Sequence, residues 1–210
     1  MEGAGTATDP ERHGGNRRAL ARRLGCRPEQ LLDASASLVP FGPPAPVRQV
    51  LRRLLRAGHD GALQDYPDRS YSELRRLLGV HHGVDPAWVL PGNGAAELFT
   101  WAARDAAACG PSLLPTPGFA DYRRALACWR GRWRCLPLAA GRTATFPQVF
   151  PAIQAGEAGS PPAATALWIT NPHNPGGQLW SRASLEPLLE RFALVVVDEA
   201  FQPLVPEGES

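Results

Sequence analysis

Two stretches leave a folding chain little choice. Ala166-Leu167-Trp168-Ile169-Thr170 and Leu194-Val195-Val196-Val197 are apolar at almost every successive position. A strand with one wet face alternates apolar and polar residues, so these runs predict strands covered on both sides, as in a parallel sheet between helical layers. Shorter apolar runs at Trp88-Val89-Leu90, Leu113-Leu114 and Trp133 to Leu138 predict further strands. Segments of helical spacing separate them: Val47 to Ala57, Tyr71 to Leu78, Ala95 to Ala108, Asp121 to Cys128 and Ser184 to Phe192. Strands that alternate with helices predict an α/β fold, three-layer, with a mostly parallel sheet. Ahead of this pattern, Met1 to Arg12 are small and polar. Gly15 to Leu24 predicts a short arginine-rich helix capped by Asn16 and stopped by Gly25, and the proline-dense Ser35 to Pro46 predicts an extended path. Gly141 to Ala164, rich in proline and glycine, predicts an irregular connection.

Charge excludes several function classes. Lys+Arg 22 stand against Asp+Glu 20, a net +2, so neither a nucleic acid nor a membrane surface is an expected partner. All 22 basic residues are arginine. Chemistry that needs a lysine on this polypeptide, such as a Schiff base or the lysine of a P-loop, is therefore excluded, because a guanidinium stays protonated and is not a nucleophile. Cys26, Cys109, Cys128 and Cys135 form no CxxC pair and have no histidine at ligand spacing, so no metal is expected and the thiols are expected to be reduced. Met1 to Asp9 carries neither a basic nor an apolar leader segment, and no run reaches the length of a membrane span, so the expected location is the cytoplasm.

Ligands of open α/β sheets sit beyond the carboxyl ends of strands. Four segments bring polar or glycine-rich sequence to such ends. Gly92-Asn93-Gly94-Ala95-Ala96-Glu97 joins an expected strand to a helix, where small residues let backbone N–H groups approach a phosphate; an isolated GxG is more often an ordinary tight turn. Thr116-Pro117-Gly118-Phe119 places an aromatic ring that could stack on a planar ligand or fill the core, with Tyr122 one helical turn further on. Asn171-Pro172-His173-Asn174-Pro175-Gly176-Gly177 contains two Asn-Pro steps that present asparagine amides at a strand end. Asp198 ends an apolar strand, where burial of its carboxylate calls for a cationic partner, which a protonated ring nitrogen would supply.

In this order and spacing, the segments resemble the aminotransferase class I/II family of fold-type I pyridoxal-phosphate enzymes. The likeness is carried by His13-Gly14-Gly15-Asn16, Asp33-Ala34-Ser35-Ala36, Tyr66-Pro67-Asp68, the Gly92 to Glu97 loop, Pro117-Gly118-Phe119, Asn171 to Gly177 and Asp198-Glu199-Ala200-Phe201. Within the family, the His-Gly-Gly-Asn start and the Asp-Glu-Ala-Phe end are most similar to the threonine-phosphate decarboxylases of cobalamin biosynthesis, and next to the histidinol-phosphate aminotransferases.

The resemblance implies pyridoxal 5'-phosphate as cofactor, an amino-acid phosphate as substrate and a homodimer. It implies that residues 1–46 are an N-terminal arm and part of a small domain, and that residues 47–210 are an incomplete large domain. The cofactor phosphate would be held by the Ala95 and Ala96 N–H groups and by Tyr66 of a neighbouring subunit. The ring would lie under Phe119, with Asn174 on its phenolic oxygen and Asp198 on its ring N–H. His13, Gly14, Ser37 and Asn174 match substrate-contacting positions. Ser37 replaces the family's asparagine, Gly176 its threonine, and Phe201 the tyrosine of the aminotransferases. The family's Schiff-base lysine has no counterpart in the chain, so no catalytic residue is expected and the chain alone is expected to be inactive. A non-enzymatic remnant that keeps part of the fold, acting as an interaction module, is the alternative of another class.

Overall fold

The computed structural model describes residues 14–39, 41–56, 65–138, 149–151 and 165–206. Met1 to His13, and Gly141 to Ala164 apart from residues 149–151, lie outside them. The chain divides by compactness into Met1–Val89 and Leu90–Ser210.

In the first unit, α1 (Arg17–Leu24) begins where the Asn16 side chain accepts the Ala19 N–H and ends at Gly25, whose φ of 65° is left-handed. This is the expected cap and stop. α2 (Ala45–Arg56) carries Pro46 in its first turn, where the missing N–H costs no helical bond. α3 (Ser72–His82) follows an Asp68 turn whose carboxylate accepts the Ser70 and Ser72 N–H groups at 3.0 and 2.7 Å. The strand expected at Trp88-Val89-Leu90 does not form. The Asp85 carboxylate accepts the Ala87 N–H at 2.7 Å and Pro86 fixes its own φ, so Pro86–Trp88 coils into one 3-10 turn.

The second unit contains the sheet. Its elements are α4 (Ala95–Cys109), β1 (Ser112–Thr116), α5 (Asp121–Cys128), β2 (Trp133–Pro137), β3 (Ala166–Thr170), α6 (Arg182–Leu185) and β4 (Leu194–Asp198). The strands run in the order β2-β1-β3-β4, all parallel, with Ser112 opposite Trp133 and Ala166 opposite Leu194. α6 is shorter than the helix expected over Ser184 to Phe192. Pro187 has no N–H to give and its ring collides with the preceding turn, so the chain passes into a 3-10 turn at Glu186–Leu188.

Side chains alternate across the strands and build two cores. On one face Leu114, Ala166 and Trp168 pack with Phe99, Ala103 and Ala106 of α4 and Tyr122, Ala125 and Leu126 of α5. On the other, Leu113, Leu167 and Ile169 meet Phe150, Trp180 and Leu188. All five β3 residues are buried, as its apolar run requires, which gives three layers around a parallel sheet. β1 sits between β2 and β3, so the chains leaving β1 and β3 diverge to opposite sides. That divergence opens a crevice beyond their carboxyl ends, at Thr116 and Thr170.

Candidate functional site

α4 starts beside this crevice with an uncapped end. Gly94 is its N-cap residue at φ 81°, a conformation that favours glycine, and it has no side chain to bond the first turn. The space around Gly94 is open, whereas a Cβ on Gly92 would press within 2.7 Å of Leu98. The Glu97 carboxylate folds back to accept the Asn93 N–H and so shapes the turn. The exposed N–H groups of Ala95 and Ala96 are left to an outside anion, which the helix dipole favours.

Arg124 of α5 fixes this end of α4. Its guanidinium donates to both Asp121 oxygens, to the Ala96 carbonyl at 3.0 Å and to Thr100 Oγ1 at 3.3 Å. Trp129 Nε1 adds a bond to the Thr100 carbonyl at 2.7 Å.

From α4 an aromatic chain crosses to the sheet. Phe99 meets Phe119 edge to face at 6.1 Å and Tyr122 at 5.1 Å, and Phe119 meets Tyr122 at 5.6 Å. Phe119 is half-buried at the crevice, presented by the loop after β1. Gly118 admits that path, since a Cβ there would collide with the Pro115 carbonyl. Tyr122 Oη lies 2.8 Å from Thr170 Oγ1 and donates to Asp198 Oδ2 at 2.7 Å. Burial, with a smaller push from the Asp198 charge, holds the Tyr122 phenol well above its usual pKa.

Asp198 ends β4 on the face of Leu194 and Val196, toward α5. It is half-buried, and its Oδ1 accepts the Ala200 N–H at 3.0 Å. The expected need for a cation is thus partly met by two neutral donors, one of which, Tyr122, the sequence pattern does not link to it.

The two asparagines after β3 divide their work. Asn171 is buried and pairs with the Trp180 backbone in both directions, at 3.2 and 2.8 Å, so its amide locks the loop rather than facing a ligand. Asn174 is half-exposed in the loop after β3, and its amide makes no hydrogen bond among the described residues. His173 is buried between them, with Nδ1 3.2 Å from Gln178 Oε1 and 3.3 Å from the Gly176 N–H. Burial lowers its pKa.

Of the expected site residues, the second unit carries Ala95, Ala96, Phe119, Asn174 and Asp198, and it links Phe119 to Asp198 through Tyr122. Gly14, Ser37 and Tyr66 belong to the first unit, and His13 lies outside the described residues. Gly14 runs so close to the Ser35 backbone that any Cβ would collide, and the Gly15 N–H donates to Ser35 Oγ at 3.0 Å. Two of the segments that carry the resemblance are thereby joined. Ser37 is exposed, and Tyr66 is 98% exposed. Among the described residues no three His, Cys, Asp or Glu side chains form a metal cluster, and no helix is long and apolar enough to cross a membrane.

Known proteins are similar to this chain in sequence and in fold. Residues 31–210 match the family model of aminotransferase class I and II. A threonine-phosphate decarboxylase of Salmonella typhimurium is 37% identical over 92% of this chain and 51% of its own length. A histidinol-phosphate aminotransferase of Natronomonas pharaonis is 31% identical over 87% of this chain and 49% of its own. The chain spans about half the length of these relatives. The histidinol-phosphate aminotransferase of Sinorhizobium meliloti, solved with pyridoxal-5'-phosphate, shares the fold with a TM-score of 0.71 at 22% identity, over 98% of this chain and 54% of that one. The L-threonine-O-3-phosphate decarboxylase of Porphyromonas gingivalis gives 0.60 at 21% identity, over 79% and 48%.

Proposed function

The chain belongs to the aminotransferase class I and II family, and from that premise we propose that the crevice beyond β1, β3 and β4 binds pyridoxal 5'-phosphate in an enzyme that decarboxylates phosphorylated threonine. The observation that carries the cofactor reading is the convergence of an uncapped helix start, the Phe119 ring and the Asp198 carboxylate, tied together through Phe99 and Tyr122. Those three features match a phosphate, a flat ring and a ring N–H. Ala95 and Ala96 hold the phosphate through backbone N–H groups, Phe119 covers the ring, Asn174 donates to the phenolic oxygen, and Asp198 accepts the ring N–H. When bound, the protonated ring takes up the electron pair released as a bond to the substrate Cα breaks. The same family resemblance assigns Tyr66 to the phosphate of a second copy, and His13, Gly14, Ser37 and Asn174 to substrate contacts.

No lysine occurs in these 210 residues. This polypeptide alone therefore holds the cofactor without a covalent link and does not turn over. Pyridoxal 5'-phosphate added to the purified chain is expected to quench tryptophan fluorescence saturably, and borohydride is expected to trap no adduct on any side chain. A trapped side-chain adduct, or carbon dioxide released from O-phospho-L-threonine, would overturn the inactivity. Absence of binding would overturn the cofactor reading.

The decarboxylase branch rests on the higher identity to that relative, and the aminotransferase at 31% supports the second reading. Melting of the cofactor-loaded chain separates them. O-phospho-L-threonine should raise the melting temperature more than histidinol phosphate does, and the reverse order favours the aminotransferase.

A further inference from the structure

Tyr122 belongs to neither the ring cover nor the phosphate cradle, yet it is the residue through which the sheet end is organised. We propose that Tyr122, oriented by Thr170, is a positioning residue that holds the Asp198 carboxylate ready to receive a cofactor's ring N–H. This rests on the cofactor reading above and deepens it.

The direction of each hydrogen bond follows from the groups present. Thr170 and Asp198 are partners in the β3–β4 register and share the face turned toward α5. Tyr122, in the first turn of α5, reaches both. An ionised carboxylate can accept but not donate, so the single phenol proton points to Asp198 Oδ2. The phenol oxygen then accepts from the Thr170 hydroxyl, which fixes the order Thr170 to Tyr122 to Asp198.

Oδ1 is held separately by the Ala200 N–H. Each carboxylate oxygen therefore has one protein donor and keeps a lone pair for a ligand. The phenol ring cannot swing away, because it is wedged between Phe99 at 5.1 Å and Trp168 at 5.0 Å. With only 3% of its surface exposed, Tyr122 is shielded from the water that would compete with the carboxylate. A carboxylate bonded in this way is fixed in rotamer before the ligand arrives, which removes an ordering cost from binding.

The test uses the full chain and two probes, pyridoxamine 5'-phosphate and its 1-deaza analogue, whose ring nitrogen is replaced by C–H. Both present the same phosphate and ring face, and only the first can bond Asp198. Tyr122→Phe keeps the ring and removes the hydroxyl. It is expected to weaken pyridoxamine 5'-phosphate by about tenfold and the deaza analogue by less than about twofold. Thr170→Val, which leaves Tyr122 unoriented, should show the same selectivity with a smaller loss. Should Tyr122→Phe fail to fold, as read by near-ultraviolet circular dichroism, Thr170→Val carries the test.

Equal losses for the two probes, or no loss for either, overturn the positioning role while leaving the cofactor site standing. If the unmodified chain binds neither probe, the cofactor reading and this inference fail together.

Discussion

His173 shows how one side chain converts a loop into a pH-sensitive part of the fold. It is 4% exposed, and its bonds are to neutral groups, Gln178 and the Gly176 N–H. Burial therefore lowers its pKa in the folded chain below the ordinary value of 6.5. Between those two values the unfolded chain binds a proton that the folded chain refuses, so stability falls as pH drops below about 6.5, at up to about 1.4 kcal/mol per pH unit. Above that value the effect is absent, since both states are neutral. His173→Gln keeps a polar group against the loop and cannot titrate. Urea midpoints measured from pH 7.5 to 5.0 should diverge, with the variant losing less stability than the parent chain as the medium becomes acidic. Parallel curves would mean that His173 is protonated in the folded state as readily as in the unfolded one.

At the scale of elements, β3 decides whether the sheet forms. Trp168 is fully buried between α4, α5 and the sheet, and its Nε1 lies 3.3 Å from Ser112 Oγ on the neighbouring strand. Trp168→Ala leaves a cavity with no flexible neighbour to fill it, and is expected to cost about 3 to 5 kcal/mol in urea unfolding. A loss under 1 kcal/mol would show that this core collapses around the gap. The β3 run is legible in the sequence, because a near-continuous apolar stretch of that length admits few alternatives. α5 is equally plain, with its bounds Asp121–Cys128 as its spacing predicts. The pattern misleads where one residue's local bonding outweighs it. Asp85 and Pro86 wind Trp88 into a turn that no strand partners, and Pro187 cuts α6 short. Among site residues, Phe119 and Asp198 are marked by their place after strands. Their linkage through Tyr122 is not, because it depends on the β4 face, and a strand apolar at every position does not show which of its two faces turns toward α5. Arg124 is hidden for a related reason: one arginine among 22 gives no sign that it will reach a carbonyl in another helix.

For the whole molecule the open question is what completes the site. Tyr66 is 98% exposed within its own chain, and the family resemblance assigns it to the phosphate of a second copy. Large apolar side chains are also exposed in the same unit, with Leu32 97% and Phe41 86% accessible. Apolar side chains left this exposed are what a subunit interface covers. A symmetric pair would then contain two shared sites, each using Asp198 from one chain and Tyr66 from the other. Mixing two defective variants tests this arrangement. Tyr66→Phe and Asp198→Ala should each bind pyridoxamine 5'-phosphate poorly, by about tenfold or more. After unfolding and refolding together in equal amounts, half of the pairs are hybrids. One site in each hybrid takes Asp198 from the first variant and Tyr66 from the second and is intact, while its twin has neither. About a quarter of all sites should therefore regain full affinity. Sedimentation of the mixture should give twice the 22.6 kDa chain mass. Binding no better than the average of the separate variants, in a sample that sediments as a pair, would place Tyr66 outside the partner's site. A sample that stays at single-chain mass would show that the described chain is not sufficient to pair.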